Sequence, residues 1–114
     1  MRVFRTIVAV AALWLSFAAS ARSSSPAFYY CGGTTIQHSD EAYYSDAFES
    51  GASQVDIESA WSNHIKASYN LTVSSGCHTY SFWKSLSDAR SARDSDAGFQ
   101  RGLGHKVIMT GWTY

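Results

Sequence analysis

Ser53-Gln54-Val55-Asp56-Ile57-Glu58-Ser59-Ala60-Trp61-Ser62-Asn63-His64-Ile65-Lys66-Ala67-Ser68-Tyr69-Asn70 reads as one amphipathic helix, and the rest of the chain arranges itself around it. Ile57, Trp61, Ile65 and Tyr69 recur every four residues, which lines one side of a helix for about four turns. Ala60 and His64 flank that stripe. Ser53 is a good N-cap, because its hydroxyl can accept an otherwise unpaired amide of the first turn. Asp56 and Glu58 lie where the positive end of the helix favours carboxylates. Asn70 suits the helix end, since it tolerates the left-handed backbone found there.

Upstream, Phe28-Tyr29-Tyr30-Cys31 has the composition of a strand, which Gly32-Gly33 end or bulge. Thr34 to Glu41 is polar, with Ser39-Asp40 as the tip of a turn. Ala42 to Glu49 forms a second strand. Tyr44, Asp46 and Phe48 share one face of it and Tyr43, Ser45 and Ala47 the other, so neither face is purely apolar. The short connection predicts an antiparallel hairpin.

Downstream, Gly76 to Trp83 alternates as a third strand. Ser85 or Ser87 caps a second helix, and Gly102 or Gly104 ends it. Its narrow apolar stripe is Leu86, Ala89, Ala92, Phe99 and Leu103, and Arg90–Asp94 and Arg93–Asp96 form surface pairs. His105 to Thr110 is the last strand. The order ββαβαβ predicts an α+β or α/β two-layer sandwich, with a mixed sheet of about four strands and both helices on one face.

Two cysteines, Cys31 and Cys77, allow one intramolecular disulfide, closing a loop of about 46 residues. The chain-entropy model assigns such a loop roughly 4 kcal/mol. The bridge brings the first and third strands together, and the predicted sheet order is 2-1-3-4. That leaves one sheet face aromatic and only partly covered.

The N-terminus carries an expected address. Arg2 and Arg5 precede an apolar run from Thr6 to Phe17, followed by Ala19-Ser20-Ala21. This is the three-part pattern of a cleaved signal peptide over residues 1–21, and its apolar run is short for a membrane span. Residues 22–27 read as a flexible lead into a single domain spanning 28–114. Removing the leader from the 114-residue chain leaves 93 residues. Of the nine basic and nine acidic residues, Arg2 and Arg5 leave with it, so the remainder is acidic by two. Such a balance offers nothing to nucleic acid or to an anionic membrane surface.

Catalytic patterns are missing from the sequence. His38, His64, His78 and His105 have no metal-ligand spacing, and no serine lies in G-x-S-x-G or S-x-x-K. Gly102-x-Gly104 follows a helix, the wrong context for a phosphate loop. No metal or cofactor is expected. Asn70-Leu71-Thr72 is a glycosylation sequon, relevant where the exporting cell glycosylates.

The aromatic content remains. Fourteen aromatic residues lie beyond the leader. Tyr29, Tyr43, Tyr44, Tyr80, Phe82 and Trp112 fall on predicted strands and form the candidate binding patch, since such side chains bury area at little entropic cost. The reading is therefore a small exported binding domain, periplasmic or secreted. Its partner is a protein or glycan of the cell envelope or extracellular space. Two alternatives stand beside it: a small secreted enzyme with a histidine–carboxylate site, and an inhibitor of a secreted enzyme presenting Thr34–Glu41.

Overall fold

The computed structural model describes residues 26–114, so the expected leader and most of residues 22–27 lie outside the described part. The elements in chain order are β1 (Ala27–Thr34), β2 (Glu41–Tyr44), β3 (Phe48–Ser50), α1 (Gln54–Tyr69), β4 (Cys77–His78), α2 (Leu86–Gly102) and β5 (Lys106–Met109). Two helices and a mixed five-stranded sheet make a small α+β domain, as the sequence predicts.

β1 is the central strand. On one edge it pairs antiparallel with β2, from Gly32↔Tyr44 to Thr34↔Ala42, and with β3, from Ala27↔Ser50 to Tyr29↔Phe48. Between these stretches Tyr30 and Cys31 face three residues, Ser45, Asp46 and Ala47, which is the signature of a β-bulge. Ser45 stitches it: its N–H donates to the Cys31 carbonyl at 2.8 Å, and its Oγ accepts from the Cys31 N–H at 2.8 Å. The expected strand Ala42–Glu49 is thus two short strands joined by a bulge.

On its other edge β1 pairs antiparallel with β4, Tyr30↔His78 and Cys31↔Cys77. Further bonds continue this pairing beyond β4, from the Gly32 N–H to the Gly76 carbonyl (3.1 Å) and from the Ile36 N–H to the Thr72 carbonyl (2.9 Å). The expected strand Gly76–Trp83 is corrected here. Only Cys77 and His78 pair, and the chain then turns, with the Trp83 N–H donating to the Tyr80 carbonyl at 3.1 Å.

β5 runs parallel to β2, Glu41↔Lys106 through Tyr44↔Met109. The last strand therefore lies beside β2 and not beside β4, and the predicted 2-1-3-4 order is corrected: the sheet runs β3-β1-β2-β5, with β4 paired to the other edge of β1. The hairpin and β4 occupy both edges of β1, and α2 packs over β1 and β2 on its way to the outer edge of β2.

The helices do not share a face. Tyr29, Cys31, Tyr43 and Phe48 point one way and pack with Ile57, Trp61 and Ile65 of α1. Tyr30, Ala42, Tyr44 and Ala47 point the other way and pack with Ala89 and Ala97 of α2 and with Trp83. Alternation along β1 and β2 sends neighbouring side chains to opposite sides. Both sides are apolar, so each needs its own helix. The expected aromatic, only partly covered face is corrected: each side of the sheet packs against a helix.

Both caps form as predicted. The Ser53 and Ser85 hydroxyls accept from the Asp56 and Asp88 amides, and Asn70 ends α1 at φ 56°. Asp88 also reaches back to accept from the Lys84 N–H at 2.7 Å. The α2 stripe is narrower than expected: Phe99 and Leu103 are exposed. The expected surface pairs are replaced. Arg93 reaches Asp46 in the bulge (3.0 Å) and Asp94 (2.9 Å), while Asp96 accepts the Tyr30 hydroxyl at 3.0 Å.

Candidate functional site

Cys31 and Cys77 are disulfide-bonded across β1 and β4, and both are buried. The bridge fixes the point from which the chain leaves the sheet. One residue past β4, the Thr79 Oγ1 donates to the Phe28 carbonyl at 2.7 Å, a second tie to β1. The turn Tyr80–Trp83 follows directly, and α2 begins three residues after it. Both ends of the turn are therefore anchored.

This turn carries the exposed rings. Tyr80 is 52% and Phe82 66% exposed, while Trp83 between turn and core is 9% exposed. Tyr80 and Phe82 stack with centroids 5.2 Å apart, and Trp83 meets both edge-on. Beneath them Trp83 stacks on Tyr30 at 6.0 Å, and Tyr30 on His78 at 4.8 Å. A continuous column of rings thus runs from core to surface. Its outer members contact one another and Trp83 yet keep more than half of their surface open to solvent, the kind of exposed apolar patch that marks a contact surface.

The other candidate residues lie elsewhere. Tyr29, Tyr43 and Tyr44 are buried, so they build the core and present no surface. Tyr29 and Tyr43 are under α1 and Tyr44 is under α2. Trp112 is half-buried against Phe48, Trp61 and His64 on the α1 side. Of the six, only Tyr80 and Phe82 come together at the surface. Trp83, which supports them, ends the alternating stretch Gly76–Trp83 and has no motif in the sequence to mark it.

Beneath the column, burial pushes the Tyr30 hydroxyl well above the ordinary phenol value, helped by the Asp96 carboxylate that it donates to. Burial and the same carboxylate push Tyr44 up too, and its hydroxyl lacks a hydrogen-bond partner of good geometry. Tyr43 is raised by burial and by its bond to Glu41. These phenols stay protonated at neutral pH, and those of Tyr30 and Tyr43 serve as structural donors.

The histidines do not converge. His78 stacks on Tyr30, His105 bonds Gln100 at 2.6 Å, and His38 lies in the exposed loop after β1. His64 Nδ1 lies 3.3 Å from the Ser68 hydroxyl, but its Nε2 is buried with no partner, so no carboxylate orients the ring as a nucleophile–base pair requires. Among the described residues no cluster of three metal-ligating side chains occurs. An open groove of about 390 Å³ runs between α1 and the segment before β4, lined by Glu58, Ser59, Ser62, Val73, Ser74 and Ser75. Glu58 closes its floor by accepting from the Cys77 N–H at 3.0 Å. The Ser74 and Ser75 hydroxyls are engaged as donors to the Thr34 and Gly32 carbonyls, at 2.6 and 2.8 Å. The loop Thr34–Glu41 is tied within itself and to the neighbouring chain: the Thr35 Oγ1 accepts from the His38 N–H at 3.2 Å, and Gln37 Oε1 accepts from the Thr72 N–H at 2.9 Å.

Among the described residues no helix is long and apolar enough to cross a membrane. Compared with protein-family models, curated proteins and solved structures, the chain shows no significant match.

Proposed function

We propose that this chain is a small binding domain of an oxidising, extracytoplasmic space, and that it recognises a protein or glycan through the Tyr80–Phe82 rings. The observation that carries the reading is the stacked, exposed ring pair on a turn anchored by a disulfide-linked strand and a capped helix. Anchoring matters because a rigid turn loses little freedom on binding. Stacked rings supply contact area at low rotamer cost, for an apolar side chain or for the flat face of a sugar. The disulfide supports the compartment, since such bonds persist outside reducing cytosol. The buried sheet faces direct the reading to the turn.

The test compares wild type with a Tyr80→Ser/Phe82→Ser double variant for retention on cell-envelope and extracellular fractions, before and after protease treatment. The variant should bind at least tenfold more weakly while remaining folded, with its unfolding temperature lowered by a few degrees at most, because the ring contacts it loses are between half-exposed side chains. Loss of binding after protease assigns a protein partner, and survival assigns a glycan. Equal retention of both proteins sinks the proposal.

A further inference from the structure

We propose that Asn70 is an N-glycosylation site, occupied when the chain passes through a glycosylating secretory pathway. Three observations converge on it. The triplet Asn70-Leu71-Thr72 has the acceptor pattern, with no proline in the middle. Asn70 is exposed, in the left-handed conformation at the end of α1, where the backbone leaves the helix. Leu71 is buried and Thr72 is bonded into the sheet edge through its carbonyl, so the triplet is held against the domain with the asparagine outermost.

The Asn70 side chain has no hydrogen-bond partner among the described residues, although its backbone N–H caps the Lys66 carbonyl at 3.0 Å. Modification therefore breaks no native contact. The co-substrate is a lipid-linked oligosaccharide diphosphate. The carboxamide nitrogen of Asn70 forms a C–N bond to the anomeric carbon, the lipid diphosphate leaves, and the nitrogen gives up one proton. No oxidant or reductant is needed.

The position gives the glycan a physical role. Tyr69 precedes Asn70 and is 38% exposed, and Ile36, bonded to Thr72 across the strand edge, is 67% exposed. A glycan at Asn70 sits beside both apolar side chains, on a different part of the surface from Tyr80 and Phe82. It shields them without masking the binding turn.

This inference rests on export, and the experiment separates the two. The full chain is expressed with its own leader in a eukaryotic secretory host, and the intact mass of the medium protein is measured with and without peptide N-glycosidase. The expected result is a chain starting near Arg22, heavier by at least one core oligosaccharide, reduced by the enzyme to the mass with Asp at position 70. Asn70→Gly keeps the left-handed backbone, Thr72→Val keeps the asparagine, and each should be secreted without the added mass. A secreted, cleaved chain of unmodified mass overturns the glycan proposal and leaves export standing. A chain retained in the cytosol with Met1 attached overturns both.

Discussion

Gly32 shows how closely the residues of the central strand are fitted. A Cβ there would run into the Tyr44 ring and come within 2.8 Å of the Tyr43 carbonyl. Gly32→Ala should therefore cost about 1–3 kcal/mol, read as a lower midpoint in urea unfolding with an unchanged slope. Gly98 is the converse. It sits inside α2 with open space around it, so Gly98→Ala should raise stability by about 0.5–1 kcal/mol in the same assay. Tyr30 and Tyr44 make a pH prediction. Both phenols are raised in the folded state from an ordinary value of 10.0, so the folded chain holds its protons longer than the unfolded chain. That contribution is intact below about pH 10 and is lost as pH rises further through the folded values. Unfolding midpoints should be flat up to about pH 10 and then fall steeply, with phenolate absorbance rising as the fold is lost. Tyr30→Phe should make that fall shallower, at the expense of about 1 kcal/mol at neutral pH for the lost bond to Asp96. A midpoint that climbs above pH 10 would contradict the burial of these rings.

At the scale of elements, the helices were legible in the sequence and the strands were only partly so. Ile57, Trp61 and Ile65 are fully buried, as the four-residue period requires, and Ser53 and Ser85 cap where their side chains allow. Each cap should be worth about 1 kcal/mol, so Ser53→Ala and Ser85→Ala should each lower the unfolding midpoint by a few degrees. Strand limits were harder to read because alternation is a local pattern and pairing is not. Gly76 to Trp83 alternates, yet its pairing with β1 stops at His78, where the Thr79 hydroxyl takes the Phe28 carbonyl and the chain turns away. Ala42-Tyr43-Tyr44 carried a usable signal. A run without a polar face is what burial on both sides demands, and it points to a helix above and a helix below. The last strand's position beside β2 depends on where α2 crosses the sheet, which no local pattern records.

For the whole molecule, the disulfide joins the centre of β1 to the strand that launches the aromatic turn. The loop it closes spans 46 residues and includes α1. In a domain this small, opening it should remove roughly 4 kcal/mol, a large share of the net stability. Reductant, or Cys31→Ser with Cys77→Ser, should shift urea unfolding to a much lower midpoint, and binding should fall with it. The candidate site was half legible. Tyr80 and Phe82 were among the six residues selected by composition, but composition could not distinguish rings that build two cores from rings left over at a turn. The account rests on that distinction, and hydroxyl-radical footprinting read by mass spectrometry tests it most directly. In the oxidised native protein Tyr80 and Phe82 should label rapidly, while Tyr29, Tyr43 and Tyr44 stay protected until denaturant is added. Labelling of Tyr44 at the rate of Tyr80 under native conditions would contradict the burial of the sheet rings under the helices and the site built on it.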